Sequence, residues 1–155
     1  YLQNVNLEAA LSLKIGDFCF SGDLNINTLE IHGNSIYIGK SFLSIVLNKK
    51  INLIDSEQIS FNDNSFENCS SLETVEMSLN KCVKFGSFCF SKATNLSNVI
   101  LNSEQIIFFN NCFDSCSSLS KIECEKVTEI HYFKNSFNEI DIKNASPTNH
   151  QNESS

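Results

Sequence analysis

Apolar residues fall into two short alternating runs separated by polar turns, and the whole arrangement recurs. Phe20, Phe42, Phe66, Phe90, Phe113 and Phe137 stand 22 to 24 residues apart. Seven and five places before the Phe come Leu13 and Ile15, Ile59 and Phe61, Val83 and Phe85, Ile106 and Phe108, and Ile130 and Tyr132. A spacing of two is the period of a strand, so each pair predicts a strand whose apolar side chains face inward together. Six, nine and eleven places after the Phe come Ile26, Leu29 and Ile31; Leu72, Val75 and Met77; Leu96, Val99 and Leu101; and Leu119, Ile122 and Cys124. This LxxLxL pattern predicts a second strand. Between them lie turns rich in Ser and Asn, such as FENCSSL and FDSCSSL. Their side chains hydrogen-bond nearby backbone groups, which favours turns over long helices.

Self-similarity at this period is the signature of a solenoid, in which each unit buries its apolar face only by stacking on its neighbours. The recurring Phe is expected to form a structural ladder along the axis. The units run over 8–31, 32–53, 54–77, 78–101 and 102–124, with a partial unit over 1–7 and a truncated one over 125–142. The second fits through Ile36, Ile38, Phe42, Ile51 and Leu53 with one residue dropped, but Asn48 replaces an apolar residue, so it is expected to be the weakest coil. After Phe137, Ile140 and Ile142 come too early for a full LxxLxL, which ends the solenoid near Ile142. The stretch 143–155, KNASPTNHQNESS, holds the only proline and no period, and reads as a polar disordered tail or linker. Leu2, Val5 and Leu7 fit the closing positions of a unit, so the chain is expected to be a fragment of a longer protein.

Charge narrows the partners. A net charge of -7 argues against nucleic acid, whose binding depends on Lys and Arg neutralising phosphates. No stretch approaches the ~20 apolar residues of a membrane span, and the start does not resemble a signal peptide. No phosphate-binding glycine loop, zinc-protease helix motif or serine elbow is present. His32, His131 and His150 form no motif and read as solvated side chains, so no catalytic, cofactor-binding or metal-ligating residue is assigned and the chain is read as not an enzyme. Gly16 and Gly86 precede the turn into the Phe and read as turn residues. The NxS sequons at Asn68, Asn95, Asn144 and Asn152 are as many as chance supplies, and only the last two read as sterically safe for modification.

Seven cysteines invite other chemistry. Cys19, Cys89 and Cys112 precede the Phe, Cys69 and Cys116 sit three after it, and Cys124 takes the last strand position. The favoured reading is that of small buried hydrophobes. Disulfides between adjacent coils, for example Cys89 with Cys112, and a zinc site on Cys112, Cys116 and Cys124 are the alternatives. Cys82 fits no ladder and is expected to be the exposed, reactive thiol.

Residues between the buried ones of the LxxLxL strand must point outward. They are Thr28 and Glu30, Lys50 and Asn52, Thr74 and Glu76, Asn98 and Ile100, and Lys121 and Glu123. Stacked, they make a polar, mixed-charge stripe that serves equally as a partner-binding face or a solvated one. On the other strand Ile107, Phe109 and Phe133 should project outward together, either as a contact for a partner or for further repeats, or as a layer covered by the connecting turn.

The unit from Ile106 to Cys124, with FENCSSLETVEM and FGSFCFSKATNLSNVIL, resembles the BspA-like leucine-rich repeats, over residues 1–142. The resemblance implies a leucine-rich-repeat solenoid of the α/β horseshoe class, β-rich with short helical or 3-10 turns. It also implies a cell-surface antigen or adhesin that binds protein partners on host extracellular matrix, epithelium or other microbes, located at the cell surface or secreted. The Asn, Ser and Ile bias looks like that of an AT-rich genome, such as a protist parasite with large sets of these proteins. The alternative is an intracellular, cytoplasmic scaffold or the repeat region of a larger signalling protein, for example one linked to a kinase.

Overall fold

The computed structural model describes residues 3–20, 26–42, 50–54, 56–137, 140–143 and 148–151. Asn48 and the sequons at Asn144 and Asn152 lie outside the described residues, as do most of 143–155 and the first two residues of the partial unit. Ten strands follow in order: β1 (Asn4–Ile15), β2 (Thr28–Ile38), β3 (Lys50–Ile54), β4 (Gln58–Phe61), β5 (Thr74–Phe85), β6 (Asn98–Phe108), β7 (Lys121–Glu125), β8 (Glu129–Tyr132), β9 (Asp141–Lys143) and β10 (Thr148–Gln151). The described residues contain no helix, and the turns between strands close through isolated i to i+3 hydrogen bonds of the 3-10 kind, such as Cys69 N–H to Phe66 O (3.3 Å) and Leu72 N–H to Cys69 O (3.0 Å).

All strands are parallel and form two ladders of a single sheet. The first runs through the LxxLxL segments, where Leu29, Ile51, Val75, Val99, Ile122 and Ile142 are successive register partners. The second joins Leu13, Ile36, Ile59, Val83, Ile106 and Ile130 in the same way. Register shifts between Ala9 and Ser12 in β1, and between Met77 and Asn80 in β5, mark the corner where one ladder passes into the other. There the Asn80 carboxamide accepts the Ser56 N–H at 3.3 Å, one of the few polar groups taken inside.

The core is the stack of rings and branched side chains enclosed by the two ladders and the turn. Phe42, Phe66, Phe90 and Phe113 are fully buried, while Phe20 and Phe137, in the outermost coils, are partly so. Phe90 stacks on Phe66 at 5.0 Å and on Phe113 at 5.3 Å, with interplanar angles of 6° and 5°. A second column, Phe61, Phe85 and Phe108, stacks beside it at 5.3 and 5.1 Å. Offset stacking at these distances is the geometry aromatic pairs prefer. The serines before the Phe tie the coils together: buried Ser65 donates to Asn62 O at 2.6 Å and Gly39 O at 3.0 Å, and Ser136 bridges Phe133 O and Phe109 O.

Several details depart from the repeat pattern. The last coil closes after five residues, with Ile142 pairing Ile122 in register, whereas the preceding coil takes nine from Phe113 to Ile122. Thr148–Gln151, inside the stretch expected to be tail, pairs β8 as β10, because a parallel edge offers unpaired backbone groups that any sequence can satisfy. Gly86 is more than a turn residue: a Cβ there would lie 2.5 Å from the Asn62 carbonyl carbon, so its absence lets adjacent coils approach.

Candidate interaction surface

The first ladder brings the stripe residues into two outward columns. Thr28, Lys50, Thr74 and Asn98 are consecutive partners in one, and Lys121 follows on β7. Glu30, Asn52, Glu76, Ile100 and Glu123 form the other without a break. None of the ten is buried, while the residues between them in the same strands are. Strand spacing sets neighbouring members about 4.8 Å apart. Glutamates separated by Asn52 or Ile100 are therefore roughly 10 Å from one another, about one Debye length at physiological salt, so the column carries repeated charge with little self-repulsion.

Local pairing is modest. Lys50 Nζ lies 3.0 Å from Glu76 Oε2 across the coil boundary, both partly exposed, and such a pair contributes about 0–1 kcal/mol. Lys121 pairs Glu123 within β7. Thr28 Oγ1 donates to Asn4 Oδ1 at 2.7 Å. Asn52 Oδ1 is buried without a donor among the described residues, beside a notch of about 110 Å³ that Lys50, Asn52, Glu76 and Ser78 line.

The second ladder exposes aromatic surface. Phe109 and Phe133 follow β6 and β8 and stack at 4.9 Å with planes 6° apart, and Phe109 keeps 37% of its surface in solvent. Ile107 is partly exposed beside them, so the connecting turn does not bury this layer. The sequence reading missed Phe88, 38% exposed with φ 55°, and Phe18, 62% exposed with φ 56°. Left-handed backbone costs a non-glycine L-residue about 1–2 kcal/mol, and Asn tolerates it best. The signal lay in the repeat: the same slot holds Asn64, Asn111 and Asn135, all with positive φ.

Five of the seven thiols take the expected buried positions, while Cys19, Cys82 and His131 depart from theirs. Cys69, Cys89, Cys112, Cys116 and Cys124 are buried, as small hydrophobes are. Burial pushes the thiols of Cys69, Cys116 and Cys124 up to about 12 and raises Cys89 well above the ordinary range, so all stay neutral. Cys19, not Cys82, is the exposed thiol. It shares the slot of Cys89 and Cys112, but no described coil stacks on its outer side. Cys82 stands between Gln58 and Gln105 in an outward column, half-covered, and desolvation raises its pKa. His131 is not simply solvated: its Nε2 lies 2.7 Å from Glu129, which also accepts from Gln105 at 2.8 Å. His150's side chain is outside the described residues.

Among the described residues no three His, Cys, Asp or Glu side chains converge as a metal site. A depression of about 700 Å³ opens over the turn from Phe113 to Ser120 beside Ile140. No helix among the described residues is long and apolar enough to cross a membrane.

Among known families, the model described as BspA type leucine rich repeat region matches in 6 copies, over residues 1–78 and 42–153. No curated protein and no solved structure matches the chain.

Proposed function

The chain belongs to the BspA-type leucine-rich-repeat family, and from that membership we propose a non-enzymatic interaction module of a cell-surface antigen or adhesin. A leucine-rich-repeat solenoid is a scaffold for protein binding, with an extended outer surface in place of a closed pocket. The proposed contact is the stripe Thr28, Glu30, Lys50, Asn52, Thr74, Glu76, Asn98, Ile100, Lys121 and Glu123. The observation that carries this reading is the unbroken register of the second column, which presents carboxylates at a regular pitch on a rigid sheet. The proposed partners are proteins of the host extracellular matrix, of epithelium or of other microbes.

One observation favours a second reading. Cysteines that serve as buried hydrophobes in the coils, such as Cys112, Cys116 and Cys124, suit a reducing compartment and fit an intracellular scaffold or the repeat region of a signalling protein. Protease shaving of intact source cells separates the two. Loss of the repeat region before lysis supports the surface module, and protection until lysis contradicts it.

A further inference from the structure

The aromatic ledge on the second ladder has a chemistry the fold itself does not use. Phe109 and Phe133 stack face to face in adjacent coils, and in the coil before them the Phe88 N–H bonds the carbonyl of Asn110, the residue after Phe109, at 3.0 Å. Phe88 stands in a left-handed slot where Asn is cheaper, and it remains 38% exposed. Its ring thus strains the backbone without completing the core, the pattern of a side chain kept for an external contact.

Charge identifies what that contact requires. Lys84, the register partner of Ile107, and Lys134, next to Phe133, are exposed and have no carboxylate within ion-pair distance among the described residues. Two acidic groups of the neighbouring coils are engaged elsewhere, Glu129 by His131 and Gln105, and Asp63 by the Ser87 N–H at 2.8 Å. An apolar platform flanked by two exposed ammonium groups, on a chain of net charge -7, complements an apolar segment bearing carboxylates.

We propose that this ledge docks an extended acidic segment of a partner protein, with one large apolar side chain on the Phe109–Phe133 stack and carboxylates at Lys84 and Lys134. The face is separate from the polar stripe and does not depend on it.

The test is selection of phage-displayed random peptides on the full chain, followed by fluorescence anisotropy of the enriched peptides. The expected peptides join an aromatic or large aliphatic residue to Asp or Glu. Phe109→Ser with Phe133→Ser, and separately Lys84→Glu with Lys134→Glu, each weaken them by about tenfold or more, and added salt weakens wild-type binding. Phe88→Asn raises thermal stability yet weakens binding, a combination that a purely structural role does not produce. Charge reversal of Glu30, Glu76 and Glu123 leaves these peptides bound, which keeps this test independent of the stripe. Recovery of no peptides, of neutral or basic ones, or of peptides indifferent to the ledge variants overturns the proposal. So does a concentration-dependent dimer abolished by the double serine variant, which assigns the ledge to a second copy of the chain.

Discussion

Removing the ring of Phe90 is the sharpest test of how the coils hold together. Phe90 has no solvent exposure, stacks on Phe66 and Phe113, and meets Phe85 at 5.5 Å with planes 55° apart. Burial of a Phe side chain contributes about 1.5–3 kcal/mol. Each of its three ring contacts adds about 0.5–1.5 kcal/mol, and the terms overlap. Neighbouring coils are fixed by their sheet hydrogen bonds and cannot collapse fully into the void. Phe90→Ala is therefore expected at the upper end of the usual range, about 4–5 kcal/mol. Phe20 is partly exposed and has one ring neighbour among the described residues, Phe42 at 5.3 Å, so Phe20→Ala should cost about 1–2 kcal/mol. Urea titrations read by circular dichroism measure both, with the slope checked because repeat arrays can lose two-state behaviour. A Phe90→Ala cost below about 1 kcal/mol, or one no larger than that of Phe20→Ala, refutes the ladder as the source of cohesion.

Alkaline pH should destabilise the fold. The thiols of Cys69, Cys116 and Cys124 are raised to about 12 in the folded chain, against about 8.5 when exposed. A raised folded pKa means the stability is fully present below the unfolded value and lost as pH climbs from about 9 towards 12, at about 1.4 kcal/mol per pH unit for each thiol. Urea midpoints from pH 8 to about 11 should fall steeply, and Cys69→Ala with Cys124→Ala should flatten the fall; equal slopes in both proteins contradict the assignment. Thiol titration of the native, reduced chain should show Cys19 reacting at once, Cys82 slowly, and Cys69, Cys89, Cys112, Cys116 and Cys124 only on unfolding. Rapid labelling of a buried thiol would show the turn to be open.

Spacing made the solenoid legible because an inward side chain every second residue and a fixed period leave one register that buries Ile, Leu and Phe together. The same logic gave the outward columns, since the residues flanking Leu29 and Val75 within a strand point to the opposite face. Whether a given slot is covered is a property of the next coil, which is why Cys19 and Cys89 share a slot and differ in exposure. Ile140 and Ile142 pack on the core but fall outside the nine-residue spacing, and the pairing of Thr148–Gln151 rests on backbone hydrogen bonds that leave no apolar signature. The left-handed slot was readable from Asn64, Asn111 and Asn135, and Phe88 hid it by being an apolar residue where the strand and core patterns have no place for one.

The claim that the outward glutamate column is the binding face is met most directly by one binding measurement. Wild-type chain and the Glu30→Lys, Glu76→Lys, Glu123→Lys variant are compared by biolayer interferometry on reconstituted extracellular matrix and on epithelial membranes, after circular dichroism confirms that the fold is unchanged. Wild type is expected to bind at least one of these surfaces, and the variant to lose about tenfold or more in affinity. Equal binding by a folded variant, or no binding by wild type to either surface, contradicts the claim.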